Sequence, residues 1–177
     1  MLIEVVAYDS TWSSKFEEEK EKIEKILGDD LLSCYHIGST SVNGLDAKPI
    51  IDIMPVVKDI SKVDLIIDKF REIGYECLGE NGIEGRRFFR KGGENRTHHI
   101  HIFEESRKEE INRHLAVRDY LRTHPNVCGE YAELKKRLAK EYPNDIDGYC
   151  DGKDFFVKQM EKDAIQWSLQ QVKSNKK

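Results

Sequence analysis

No run in this sequence approaches the roughly 18 apolar residues needed to span a bilayer. Its start, Met1-Leu2-Ile3-Glu4, lacks the basic segment and apolar stretch of a signal peptide. No membrane association is therefore expected, and the expected compartment is the cytoplasm. The four cysteines, Cys34, Cys77, Cys128 and Cys150, include no CxxC pair. That speaks against a zinc cluster or a redox pair and for scattered reduced thiols. No charge sign dominates: 29 Lys and Arg stand against 33 Asp and Glu, for a net charge of -4. A global nucleic-acid-binding surface is excluded, and no specific nucleic-acid partner is expected; a local basic groove is not excluded. There is no internal repeat and no low-complexity segment.

What is present is a heavily charged globular chain. Its 177 residues are 38% hydrophobic and 35% charged. That length fits one domain, or one domain with a helical extension, and buries a core without staples. Trp12, Phe16, Ile23, Ile26 and Leu27 share one face at helical spacing and predict a helix over 11–27, with Ser14 and Glu17 as a capping box. A strand is predicted over 31–37, broken by Gly38, after which Ser39-Thr40-Ser41 caps a short helix and Asn43-Gly44 turns. The almost wholly apolar run 49–57 predicts a strand buried on both faces. Ser61 then opens one helix ending at Gly74, with Val63, Ile66, Ile67, Phe70 and Ile73 on its buried stripe. A strand over 75–78 follows, and then a hairpin of 86–91 against 97–103. From Ser106 the pattern is helical: one helix ends near His124-Pro125, a second covers 127–141 and a third 152–171. The expected fold class is α/β in the α+β sense. An α/β core over 1–105 carries a helical part, 106–172, packed on it, and 173–177 form a tail.

Chemistry concentrates at His36-Ile37-Gly38-Ser39, followed by Lys48-Pro49-Ile50-Ile51-Asp52-Ile53. A glycine and a serine after a strand allow a phosphate to approach the backbone, and the next helix start offers amides. Twelve residues separate Ser39 from Asp52, enough for a short helix and a return. A carboxylate on that next buried strand is suited to holding Mg²⁺ against the phosphate. The bland alternative is a Gly-Ser turn and one polar residue at a strand end. Asp52 weighs against it, because burying an unpartnered carboxylate costs several kcal/mol.

This stretch resembles the nucleotidyltransferase superfamily pattern: a hydrophobic residue, Gly-Ser, a gap, then Asp-hydrophobic-acid. More narrowly, the chain resembles the GrpB family, a bacterial family of that superfamily. The matching segments are Ala7-Tyr8-Asp9 with Trp12; His36-Ile37-Gly38-Ser39-Thr40-Ser41-Val42; Lys48-Pro49-Ile50-Ile51-Asp52-Ile53; His99-Ile100-His101; Arg118-Asp119-Tyr120-Leu121-Arg122; and Tyr131 with Lys135. The resemblance implies a minimal nucleotidyltransferase-like mixed sheet with flanking helices. It also implies a catalytic or metal-holding role for Asp52. The sequence departs from the pattern at Met54, where a second acid belongs. A two-metal site for phosphoryl transfer needs at least two carboxylates.

Replacements for the missing acid lie on the later strand. Alternation puts Thr97, His99, His101 and Phe103 on one face. Asp52 with His99 and His101 would make a two-histidine, one-carboxylate site, which suits a transition metal better than Mg²⁺. The alternative is that both histidines bond a phosphate or a neighbouring acid. Lys48, Arg86, Arg87, Arg90, Arg118, Arg122 and Lys135 are available for an anionic substrate. Asp119 is free to pair with one of these arginines. Asn144-Asp145-Ile146-Asp147-Gly148 is suggestive of a calcium loop but fails the pattern at both ends, at Pro143 and Asp154.

Three functions follow as expectations. The first is nucleotidyl or phosphoryl transfer from a metal-bound nucleotide, with Asp52 catalytic and His36, Gly38, Ser39, Lys48, Arg87, Arg118, Arg122 and Lys135 binding the substrate. The second is a non-catalytic module that binds a nucleotide or another phosphate-bearing small molecule and has lost the second acid. The third is a histidine-metal hydrolase using His99 and His101. The expected cofactor is a divalent metal, Mg²⁺ or a transition metal.

Overall fold

The computed structural model describes residues 2–176. It is a mixed α+β fold with a five-stranded mixed sheet. Helix α1 (Trp12–Leu27) leads through a 3₁₀ turn into β1 (Leu31–Ile37). A second 3₁₀ turn, Ser39–Ser41, precedes β2 (Ile51–Val57). Short helices α2 (Ile60–Asp64) and α3 (Ile67–Glu72) precede β3 (Tyr75–Cys77), β4 (Arg87–Lys91) and β5 (His98–Glu104). Then come α4 (Lys108–Thr123), α5 (Pro125–Glu141) and α6 (Ile146–Ser174).

The strand order is β1-β2-β5-β4-β3, with β2 and β5 parallel and the other neighbours antiparallel. The apolar run around Asp52 is the inner strand β2, as its two-sided burial requires. Ile51, Ile53 and Val57 are buried on one face, Met54 and Val56 on the other. In the parallel pairing Asp52 stands opposite His99 and Ile53 opposite Ile100.

Several boundaries depart from expectation. Helix α1 starts from Thr11 without a side-chain cap, so Ser14 and Glu17 lie inside the helix and form no capping box. The stripe after Ser61 is two helices. Leu65 and Ile66 donate to Lys62 and Val63, three residues back, and Leu65 is exposed. The side chain of Asp59, not Ser61, caps the first of them. The last helix begins six residues early, because the Asp145 carboxylate accepts from the Gly148 amide and caps it. That cap explains the run resembling a calcium loop.

The chain forms two compact units that interleave along the sequence. A sheet unit holds Ser10–Ile37 and Ile50–Ile111; a helical unit holds Met1–Asp9, Gly38–Pro49 and Asn112–Lys177. The Gly38–Pro49 segment, which precedes the expected division near residue 105, groups with the helical unit. Its apolar residues Val42 and Leu45 bury among Leu121, Cys128, Tyr131, Ala132 and Met160, all in the helical unit. A bridge between Val6 and Ala47, and a bond from the Ile3 amide to the Pro143 carbonyl, tie the N-terminus into the same unit. All four cysteines are free thiols. Among the described residues, no helix is long and apolar enough to cross a membrane.

Candidate functional site

In the sheet unit, the register of β2 on β5 brings Asp52, His99 and His101 to one face. The Nε2 of His101 lies 2.9 Å from Asp52 Oδ1, and the Nδ1 of His99 lies 3.4 Å from the same oxygen. Burial acts to raise the Asp52 carboxyl, but the bonds from His101 and His99 outweigh it and hold the group well below the usual carboxylate range. Each of the three residues offers one ligand atom, all within 4.8 Å of one another. This donor set suits a transition metal rather than Mg²⁺. The far nitrogens of both rings face arginines: Arg86 Nη1 is 3.3 Å from His101 Nδ1, and Arg96 Nη1 is 3.5 Å from His99 Nε2. Met54, at the place of the missing acid, is fully buried and pairs with Tyr35 across the ladder. Position 54 is therefore part of the core.

In the helical unit, the turn after Gly38 is built around a buried cation. Gly38 adopts φ 71°, a conformation that favours glycine. The Ser41 and Val42 amides bond back to Gly38 and Ser39, closing the 3₁₀ turn. Arg122 locks it from α4, with Nε and Nη2 at 2.9 and 2.8 Å from the Ser41 carbonyl. Lys135 of α5 is only 3% exposed, and its Nζ donates to Ser39 Oγ at 3.0 Å. The same ammonium lies 4.4 Å from the centroid of the Tyr131 ring. Burial first, and then the positive charge of Lys153, push Lys135 down to about 7. Lys48 and Lys153 lie 5.2 and 5.0 Å from the centroid of the Tyr149 ring. Tyr149 is fully buried, and its hydroxyl has no hydrogen-bond partner among the described residues.

Not every expected binding residue belongs to these two clusters. His36 is buried in the sheet unit and stacks on Phe16 of α1, with ring centroids 4.8 Å apart. Arg87 is engaged by both Asp64 carboxylate oxygens, at 2.7 and 3.1 Å, and Arg90 pairs with Glu76. Arg118 bonds Asp119 at 2.9 Å, the pairing left open for Asp119. Gly38, Ser39, Lys48, Arg122 and Lys135 remain together in the helical unit.

The model of the family described as GrpB protein matches residues 2–163. The chain belongs to the GrpB family. It is 45% identical to the UPF0157 protein YqkA of Bacillus subtilis, over 93% of this chain and 48% of that one. It is 40% identical to the UPF0157 protein PA4798 of Pseudomonas aeruginosa, over 88% of this chain and 64% of that one. The chain thus spans about half to two thirds of the length of these curated relatives. The crystal structure of the conserved protein GrpB from Enterococcus faecalis matches with a TM-score of 0.91 at 47% identity, covering 94% of this chain and 99% of that one.

Within this GrpB-family chain, sequence reading passed over Tyr149, Lys153 and Arg96. Tyr149 and Lys153 are one helical turn apart on α6, a spacing found on any helix. Their signal is three-dimensional: the ammoniums of Lys48 and Lys153 lie over the ring of a buried phenol that has no hydrogen-bond partner among the described residues, and both charges act on Lys135.

Proposed function

We propose that this chain binds a phosphate-bearing small molecule, of the nucleotide class, at the Ser39–Lys135 cradle of the helical unit. One observation carries the reading. Lys135 is a buried ammonium whose polar partner is a neutral hydroxyl, with no carboxylate paired to it among the described residues. A buried charge without a counter-charge costs several kcal/mol. Glu19, equally buried, shows how this protein treats a buried charge that needs no ligand. Tyr75, Lys91 and Lys22 contact it at 2.8, 3.0 and 3.1 Å. Lys135 lacks such a set, and an anionic ligand would supply it. Ser39 and Lys48 are partly exposed, so the cradle is accessible to solvent.

Phosphate oxygens suit the donors present: a serine hydroxyl, lysine ammoniums and the Tyr149 hydroxyl, which has no hydrogen-bond partner among the described residues. In the bound state Lys135 would be held protonated by the anion, and the Tyr149 hydroxyl would gain an acceptor. Nucleotidyl or phosphoryl transfer is the second reading. Its support is Asp52, held as a carboxylate on an inner strand. Against it stands the buried Met54, which leaves one acid where two are needed.

Thermal melts of the purified chain with inorganic phosphate, pyrophosphate and ATP test the binding reading. At least one of them should raise the melting temperature with increasing concentration, as ligands of the folded state do. The rise should vanish in Lys135→Met. A wild-type melting temperature indifferent to all three would contradict the reading.

A further inference from the structure

We propose that Arg86 fixes the tautomer of His101, making Asp52, His99 and His101 a hydrogen-bonded carboxylate clamp and not a metal centre. This goes beyond the phosphate cradle and does not depend on it. The donors and acceptors around His101 allow one tautomer. A guanidinium has five N–H donors and no acceptor. Arg86 Nη1 is within hydrogen-bond distance of His101 Nδ1, at 3.3 Å. That nitrogen must therefore present its lone pair, and the ring proton sits on Nε2. Nε2 in turn lies 2.9 Å from Asp52 Oδ1, where a proton is needed to make the bond. Both contacts are satisfied by one tautomer.

A metal reverses both requirements. Nε2 would have to present a lone pair to the ion, and Nδ1 would carry the proton. Ligating histidines hand that second proton to a carboxylate, a carbonyl or water. Here a cationic donor occupies the place of that acceptor. Arg86 is also held where it is. It is 6% exposed, its Nε and Nη2 donate to the Glu80 and Asn81 carbonyls at 3.1 and 2.7 Å, and its guanidinium lies 4.9 Å from the centroid of the Phe88 ring. His99 repeats the pattern more loosely, with Asp52 on one nitrogen and Arg96 on the other. Arg96 is tethered by its Nε and Nη2 to the Gly93 carbonyl, at 3.3 and 3.1 Å. Two histidines thus give their N–H to one carboxylate oxygen, and two arginines hold them in that orientation.

Nitrogen-15 NMR of the full chain reads the tautomer directly. The expected result is a His101 ring with its proton on Nε2 and a lone pair on Nδ1, and no zinc site that depends on His101 when Zn²⁺ is titrated by calorimetry. Arg86→Gln replaces the donor with a side chain that can accept from Nδ1–H. It should move the His101 proton to Nδ1 and raise Zn²⁺ affinity tenfold or more, the scale of such outer partners. A wild-type Nδ1–H tautomer would overturn the proposal. So would a stoichiometric wild-type zinc site lost in His101→Ala, or a folded Arg86→Gln whose tautomer is unchanged. If Arg86→Gln does not fold, the two wild-type measurements decide.

Discussion

The Nζ of Lys135 and the Oγ of Ser39 are 3.0 Å apart across 96 residues of sequence, and the hydroxyl is a partner for the ammonium without being a counter-ion. A helix of the helical unit thus delivers a buried positive charge to a serine on the turn after β1. Three expectations follow from this pair and its neighbours, and one from the sheet.

Lys135→Met should leave the ligand-free chain at least as stable as the wild type. The change removes one hydrogen bond, worth about 1 kcal/mol. It also removes a buried charge that lacks a counter-charge, which offsets that loss. Chemical denaturation checks it. A large loss of stability would mean that Lys135 is a structural cation with its needs already met.

The same lysine sets a pH dependence. Its folded value of about 7 lies below the value of about 10.4 for a free lysine. Between those limits the unfolded chain binds more protons than the folded one, so stability rises with pH across that window. Below about pH 7 both states are protonated and the penalty is constant. Denaturation at a series of pH values should show this slope in the wild type, and Lys135→Met should flatten it. Sulfate does not titrate in this range, so its affinity should weaken as pH rises above about 7. There the cradle must take up a proton to bind.

Tyr149→Phe should be neutral or stabilising without ligand, because the hydroxyl it removes is buried and has no partner among the described residues. With pyrophosphate present it should bind more weakly than the wild type. Equal pyrophosphate affinity in both would remove the phenol from the site.

Met54→Asp should cost about 3 kcal/mol or more, since the side chain is fully buried. For a chain of this size that lowers the melting temperature by about 6 °C or more. It should not produce Mg²⁺ binding. A folded variant that gains Mg²⁺ affinity would restore the two-carboxylate reading.

Much of the sheet was legible in the sequence, because its signal is local. The strand over residues 31–37 was read to the residue, and the apolar run around Asp52 marked an inner strand. Alternation placed His99 and His101 on one face, and the ladder sets Asp52 beside them. Glycines misled the reading of α6. Gly148 and Gly152 look like helix breakers, yet both lie inside the helix. A Cβ at Gly152 would collide with Leu138, and one at Gly148 with Tyr142. Close packing, not a turn, accounts for them. The grouping of Gly38–Pro49 with the last helices was hidden, because Val42 and Leu45 bury against residues 76 to 118 positions later. No periodicity reports contacts that remote, and the lysines around Tyr149 were hidden for the same reason.

The most direct test of the phosphate cradle is titration calorimetry with inorganic phosphate at pH 7, on the wild type and on folded Lys135→Met. The expected result is one site per wild-type chain, with affinity at least tenfold weaker in the variant, as the loss of a charged hydrogen bond implies. Equal affinity in the two proteins, or no binding to the wild type, would contradict it.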